Sequence, residues 1–261
     1  MTEITSTANA VVKEVCLLKQ KKIRDIERKF IIEGMKMLSE AVSSDMEIES
    51  IFAEKSIYEE QRSFFDGLNT ERLYVVSSAV IDKISEWKTP QGICAVVKKK
   101  EYSLNDCIKG NSVFVLVLDG VADPGNIGTI IRTSEAAGVD CVLTVNGTAD
   151  CYQSKALRAS MGSVFRIPVF ENLEKCDIIY MLKENGIRLL STSLAGEDVF
   201  DFNFDSRKIA AVFGNEGSGI EQEFIDNADM LVRLPMSGNV ESLNVAVSAG
   251  IIMYMIKMKN Y

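Results

Sequence analysis

The chain contains no histidine, which removes Ser-His-Asp triads, Cys-His pairs and histidine-liganded metals together. Any proton acceptor must be a carboxylate, Lys, Tyr, Cys, an unusual Arg or the substrate itself. Against that background Arg132 stands out, close after Asn126 and Gly128 in VFVLVLDGVADPGNIGTIIRTSEAAG, residues 113–138. The apolar run Val113 to Leu118 is long enough for one buried strand. Asp119 and Gly120 end it. Asp123, Pro124 and Gly125 form a tight turn, because proline fixes φ and glycine lets the chain reverse. A helix then begins at Asn126, with Ile127, Ile130, Ile131 and Ala137 on its apolar side, and Gly138 ends it. A strand, a Gly-rich turn and a helix start suit a small anionic or polar ligand. A guanidinium in the second turn of that helix can stabilise developing negative charge. The alternative is an arginine on a solvated helix face.

The turn differs from those of the common nucleotide folds. Gly120, Gly125 and Gly128 lack the G-x-G-x-x-G spacing, and no Gly-Lys-Ser/Thr follows. Two later stretches have related form. In FGNEGSGI, Phe213 to Ile220, Gly214, Gly217 and Gly219 follow the apolar strand Ile209 to Phe213. LPMSGNVESLNVAVSAG, Leu234 to Gly250, is a strand end, a polar loop and a helix.

The elements that position these loops alternate. Strands are predicted at 113–118, 140–145, 166–170, 187–191, 208–213 and 230–234, and helices at 126–137, 153–160, 174–185, 220–227 and 242–257. The pattern is that of a parallel α/β sheet, which binds ligands at the carboxyl ends of its strands. All three motif loops, and the Ser191 to Leu194 loop, fall at such ends. The last helix, Leu243 to Ile256, is apolar nearly all round, so it is buried on all sides, in the core or at a subunit interface. Ile252 and Met253 are expected at that interface. Upstream, residues 8–29 read as an amphipathic helix, with Val11, Val12, Val15 and Leu18 at helical spacing, followed by a basic segment. Lys19, Lys21, Lys22, Arg24, Arg28 and Lys29 then crowd together, as a phosphate-contacting patch or as a solvated face. Short strands and helices follow to about Val97, including a helix from Ser77 or Ser78 to Trp87, which describes a small α/β domain. The polar stretch after Lys98 reads as a linker. Trp87 reads as core or hinge packing rather than as a base-stacking platform.

With 261 residues and 47% hydrophobic content, the chain fits one large domain or two ordinary ones. The net charge of −8 argues against a non-specific polyanion binder but allows a local basic patch. The first hundred residues balance, and the acidic excess lies beyond them. The six cysteines form no C-x-x-C, so zinc spacing is absent and reduced thiols in a cytoplasmic protein are expected. No signal-peptide or membrane-spanning stretch is found.

Taken together and in order, the three stretches closely resemble the three motifs of the SpoU (TrmH) family of RNA 2′-O-ribose methyltransferases, in the SPOUT superfamily. The matching residues are Asn126, Gly128 and Arg132; Gly214, Asn215, Glu216 and Gly219; and Pro235, Met236, Gly238, Ser242, Leu243 and Asn244. FIIEG at 30–34 and TPQGI at 89–93 resemble the family's N-terminal substrate-binding domain, which is similar to a small RNA-binding ribosomal protein. Periodicity alone leads to a Rossmann-like topology, whereas the resemblance implies a deep trefoil knot in the C-terminal part. It implies an RNA substrate-binding domain at 1–98, a linker at 99–111 and a methyltransferase domain at 112–261.

The resemblance further implies methyl transfer from S-adenosylmethionine to a ribose 2′-hydroxyl of structured RNA. Ribosomal RNA is favoured and transfer RNA comes second. Arg132 would stabilise charge or position phosphate, although a role as base is also conceivable for the family. Asn126 and Asn244 would orient RNA or Arg132. Glu216 would orient them or counter a cationic partner, and Ser242 would cap the last helix. Gly214, Leu234 and Leu243, with the Thr192 loop, would hold the cofactor. The family's habit implies a homodimer through the C-terminal domain, with no metal and no membrane. A dinucleotide-dependent oxidoreductase and a catalytically silent RNA-binding protein are the competing classes.

Overall fold

The computed structural model describes residues 2–68, 70, 72–204, 207–238 and 242–260. Residues 239–241, inside the third motif, lie outside them. The chain divides into two units, Met1–Glu101 with Tyr152–Arg158, and Tyr102–Cys151 with Ala159–Tyr261.

The first unit is built on a mixed five-stranded sheet of β1 (Thr2–Ile4), β2 (Lys29–Glu33), β3 (Ile48–Glu54), β4 (Leu73–Val76) and β5 (Ile93–Lys98), in the order β1-β4-β3-β5-β2. β4 pairs parallel with β1 and β3, and β5 runs antiparallel to β3 and β2. Its helices are α1 (Ala10–Leu17), α2 (Lys21–Glu27), α3 (Met35–Ser43), α4 (Lys55–Glu60), α5 (Arg62–Asp66) and α6 (Ser78–Ile84). Val12, Val15 and Leu18 pack against Val80, Ile81 and Ile84 of α6 and Phe52 of β3. The polar MTEIT start gives no strand signal. β1 nevertheless forms, because Ile4 is buried and its backbone completes the sheet edge against β4.

The expected amphipathic helix ends at Leu17, and the basic segment after it forms a second helix, α2. Arg24 turns inward, and its Nη1 donates to the carbonyls of Leu18 and Lys19, each at 2.7 Å, at the end of α1. α6 stops at Ile84 rather than running to Trp87. Ser85 is extended, its hydroxyl donates to Glu33 at 2.5 Å, and the Glu86 amide donates to the same carboxylate at 2.9 Å. Burial raises the pKa of Glu33, and these two hydrogen bonds oppose the shift only in part.

The second unit carries six parallel strands: β6 (Val113–Asp119), β7 (Cys141–Val145), β8 (Val169–Leu173), β9 (Arg188–Asp198), β10 (Lys208–Gly214) and β11 (Met230–Arg233), ordered β11-β9-β10-β6-β7-β8. Its helices are α7 (Leu104–Ile108), α8 (Pro124–Ala137), α9 (Ser154–Ser160), α10 (Lys175–Glu184), α11 (Gln222–Asp226) and α12 (Val245–Asn260), with a 3-10 turn at Ser163–Phe165. Only Ala159 and Ser160 of α9 belong to this unit. β6 and β7 are buried throughout, as a parallel sheet covered on both faces requires. From β6 the chain builds outward to β7 and β8, crosses over to β9, then returns so that β10 fits between β9 and β6. β6 and β10 pair from Val113–Lys208 to Asp119–Gly214. Their carboxyl ends therefore lie side by side where the winding direction reverses, the place at which such sheets take ligands.

Three boundaries differ from expectation. β8 begins at Val169 rather than 166, because Ser163–Phe165 coil and Arg166 pairs through Nε with Glu135 at 2.5 Å. β9 continues to Asp198 rather than ending at 191. Its register with β11 jumps from Ser191–Leu231 to Glu197–Val232, so residues 192–196 bulge out and the strand resumes. α12 begins at Val245, three residues later than expected. Its Ala246, Ala249, Ile252, Met253 and Ile256 are buried within the chain, and Met253 Sδ accepts from Ser134 of α8 at 3.5 Å. Ile252 and Met253 therefore belong to the core and not to a subunit interface. The exposed apolar side chains of this region are Leu243, Val247, Tyr254 and Met258. Among the described residues no helix is long and apolar enough to cross a membrane, and no group of Cys, Asp and Glu is placed to hold a metal ion.

Candidate active site

The three motif loops meet at the carboxyl edge of the second sheet. The first begins where β6 ends. Thr148 Oγ1 accepts from the Gly120 amide at 3.0 Å and donates to the Leu118 carbonyl at 2.9 Å, which fixes the exit from the strand. Gly120 takes a φ of 73°, where a side chain would be strained. α8 then starts at Pro124, two residues before the sequence suggests. The Asp123 carboxylate caps it by accepting from the Asn126 amide at 3.0 Å. Asn126 is thus in the first turn, with its amide side chain available for other bonds.

Those bonds tie all three motifs together. Asn126 Nδ2 donates to Glu216 Oε1 at 2.8 Å, and Asn126 Oδ1 accepts from Asn244 Nδ2 at 3.0 Å. Glu216 also accepts from the Ala122 amide at 3.0 Å and the Asp123 amide at 3.3 Å. Burial would raise the pKa of Glu216, but the bonds from Asn126 and these backbone amides together hold it below the usual glutamate value. A carboxylate so filled is a poor proton acceptor and a good anchor. Asn244 Oδ1 in turn accepts from the Ala246 amide at 2.9 Å, so Asn244 is the cap of α12. Ser242 does not fill that role. It lies exposed two residues before the cap.

Arg132 lies further along α8, one turn beyond Gly128. It is exposed and makes no hydrogen bond or ion pair with the described residues. An exposed, unpaired guanidinium is available to an external anion or to a developing oxyanion. The sequence placed it in the second turn of α8, and the earlier helix start puts it in the third.

The expected cofactor residues sit on neighbouring strands. Thr192 opens the bulge of β9, Gly214 ends β10 and Leu234 follows β11, and these strands are adjacent and parallel. Leu243 precedes the Asn244 cap and is 39% exposed. Two glycines make the backbone here crowded. A Cβ on Gly214 would lie 2.2 Å from the Gly219 carbonyl carbon, and a Cβ on Gly196 would lie 2.6 Å from Val232 backbone atoms. The close approach that Gly214 allows is therefore to the chain's own turn, whose Asn215 and Gly219 exchange backbone hydrogen bonds at 2.9 Å. What this edge offers is backbone amides and carbonyls with aliphatic Leu234 and Leu243. That donor set fits a largely uncharged adenosine.

Sequence reasoning missed two supports of the site. Asn215 Nδ2 donates to the Gly120 carbonyl at 2.8 Å, while its Oδ1 accepts from Gly217 at 2.8 Å. Asp119, buried and with its pKa raised by burial, accepts from the Glu221 amide at 2.8 Å. Asn215 lay inside a quoted motif, and Asp119 was read only as the end of a strand.

Comparison with known sequences adds the decisive observation. The profile of the SpoU rRNA Methylase family matches residues 113–254, more than half of the chain. The chain belongs to the SpoU family. The profile of the MRM3-like substrate binding domain matches residues 9–95. The 23S rRNA (guanosine(2553)-2′-O)-methyltransferase RlmP of Bacillus subtilis is 36% identical, covering 98% of this chain and all of the relative. An AdoMet-bound rRNA methyltransferase from Sinorhizobium meliloti superposes with a TM-score of 0.87 at 31% identity, over 98% of this chain and 97% of that one. The SpoU methyltransferase AviRb of Streptomyces viridochromogenes, in complex with AdoMet, gives a TM-score of 0.87 at 25% identity, over 96% and 97%. The expectations drawn from the three motifs, an RNA methyltransferase that uses S-adenosylmethionine, are borne out by this SpoU membership.

The residues expected to touch RNA are placed unequally. Lys19 Nζ is engaged by the carbonyls of Lys83 and Ser85, at 3.0 and 2.9 Å, and Lys29 pairs with Glu49 at 2.7 Å. Arg24 is buried, with its Nη1 bonded to main-chain carbonyls, so it adds charge behind the surface and offers no free head group. Lys22 and Arg28 are exposed and Lys21 is half-buried.

Proposed function

We propose that the chain methylates a ribose 2′-hydroxyl of ribosomal RNA. The observation that carries the reading is the Glu216–Asn126–Asn244 relay, which ties the three motifs together on the helix whose third turn carries the exposed, unpaired Arg132. S-adenosylmethionine, when bound, supplies an electrophilic methyl group. The chain's task is to hold the hydroxyl in line and to favour its ionised form, with the hydroxyl proton passing to solvent water as the oxygen takes the methyl group. Arg132 stabilises the charge that develops on the ribose oxygen. It is not the base, because a guanidinium does not give up its proton in proteins. Glu216 is not the base either, since its oxygens are filled and its pKa is lowered. Asn126 and Asn244 hold the start of α8 and the start of α12 so that Arg132 keeps its aim. The backbone at Thr192 and Gly214, with Leu234 and Leu243 on either side of the adenine, holds the cofactor.

The division of labour follows the two units, with residues 1–98 binding RNA and 112–261 carrying the chemistry. The C-terminal segments thread the family's trefoil knot. A homodimer forms through the exposed face of α12, where Val247, Tyr254 and Met258 lie at helical spacing. Cysteines that read as reduced thiols, together with a ribosomal substrate, support a cytoplasmic location.

The test is to map 2′-O-methyl sites in RNA from cells with and without the protein. A ribosomal RNA ribose that loses its methyl supports the reading. The guanosine in the name of the Bacillus subtilis relative is the first position to inspect. Loss from a transfer RNA alone moves the substrate, and no loss anywhere removes the activity.

A further inference from the structure

The geometry of the first unit points to a cleft that takes an unpaired RNA nucleotide on Trp87. The cleft is about 500 Å³ in volume, and its walls carry five cations, Lys19, Arg24, Lys88, Lys155 and Arg158, against one carboxylate, Glu86. In a chain of net charge −8 this is a local reversal of sign, which concentrates an anionic ligand there. Lys19 and Arg24 are pinned by main-chain carbonyls, so their charge is fixed in the wall. Lys88, Lys155 and Arg158 are exposed.

Trp87 gives the cleft a flat surface. The indole is half-exposed, and its N–H donates to Ser154 Oγ at 2.9 Å, which fixes the plane of the ring. The Arg158 guanidinium lies over the ring, 4.7 Å from its centre. An aromatic plane bordered by cations is the arrangement by which unstacked bases are held, with the base on the ring and its phosphates on the lysines. An acidic peptide would satisfy the cations but leave the plane unused. The base therefore stacks on the indole–guanidinium pair, and Lys88 and Lys155 take the flanking phosphates. The inference rests on the RNA methyltransferase reading only for the identity of the ligand.

Trp87 is the only tryptophan of the chain, so its emission reports on the cleft. The full-length protein is titrated with a fluorescein-labelled single-stranded RNA of about twelve mixed nucleotides and with the matching duplex. The single strand is expected to quench Trp87 to saturation and the duplex to do so weakly. Lys88→Ala combined with Lys155→Ala is expected to weaken binding at least tenfold by anisotropy. It should flatten the salt dependence by about 1.4 in slope, two single-strand phosphates' worth. Trp87→Ala should cost about tenfold and Trp87→Phe little, because a benzene ring still stacks. Adenosylhomocysteine binding, measured on every variant, checks the fold and tests the methyltransferase reading separately. If the wild type fails to bind it while RNA still quenches Trp87, that reading is lost and the cleft stands. Unquenched Trp87 at saturating RNA, equal quenching by duplex, or an unchanged affinity and slope in the double variant would each overturn the cleft.

Discussion

Replacing Glu216 by Ala should slow methyl transfer about thirtyfold while leaving the fold intact. The substitution strips the acceptor from Asn126 Nδ2 and from the amides of Ala122 and Asp123. Glu216 is exposed, so each bond is taken near the lower end of its range, about 0.7 kcal/mol, and three give about 2 kcal/mol. That free energy is what holds Asn126 against Asn244, and hence the start of α8 against the start of α12. If the transition state needs the ordered arrangement, the whole amount appears in the rate, at roughly 1.4 kcal/mol per factor of ten. Glu216→Gln should lose less, because one oxygen still accepts while its amide faces the Ala122 N–H. The assay is single-turnover transfer at saturating cofactor. Because Glu216 and Asn126 act through one contact, the pair Glu216→Ala with Asn126→Ala should cost little more than the worse single change. A Glu216→Ala rate within twofold of wild type, or strictly additive losses in the pair, would refute the relay.

Gly214→Ala should abolish cofactor binding by calorimetry, since its methyl group would lie 2.2 Å from the Gly219 backbone and force the second motif open; normal binding would show that the turn yields. Ile252→Asp should unfold the protein in a thermal melt, because it buries a charge in the core, whereas Val247→Asp should leave the melt unchanged and produce a monomer by sedimentation; a wild-type monomer at micromolar concentration removes the dimer. Glu216 has a folded pKa below its unfolded value, so its stabilisation is complete above that unfolded value and is lost as pH falls through the folded one. The melting advantage of wild type over Glu216→Gln should therefore be constant from pH 8 to 6 and shrink below 4.5, glutamate's ordinary value; an advantage that persists at low pH would deny the shift.

Much of the catalytic unit was legible because parallel strands announce themselves. Val113–Leu118 and Ile209–Phe213 are unbroken apolar runs, and loops after such strands fall on one edge of the sheet. The relay itself was not legible. Nothing in the spacing of Asn126, Glu216 and Asn244 says that β10 returns to lie beside β6, which is what brings them within hydrogen-bond reach. The late start of α12 was hidden because Ser242 and Asn244 are both good caps, and only the bond from the Ala246 amide to Asn244 distinguishes them. β9 looked finished at Ser191 because the strand leaves its ladder there and rejoins six residues later, at Glu197. In the first unit, charge density suggested six equivalent cations. Backbone carbonyls claim Lys19 and Arg24, and a lone count of charges cannot see that. The cleft around Trp87 depends on residues 152–158 packing with the first unit. Lys155 and Arg158, three apart on a helix, otherwise look like any solvated face.

The central claim is that this chain places a methyl on ribose with Arg132 as charge stabiliser. The direct measurement is single-turnover transfer of labelled methyl to ribosomal RNA, followed by alkaline hydrolysis and nucleoside analysis, for wild type and Arg132→Ala. The account predicts label in alkali-resistant dinucleotides for wild type. It predicts a fall of two to three orders of magnitude for Arg132→Ala, with adenosylhomocysteine affinity unchanged. Label on a base, or near-normal transfer by Arg132→Ala, would contradict it.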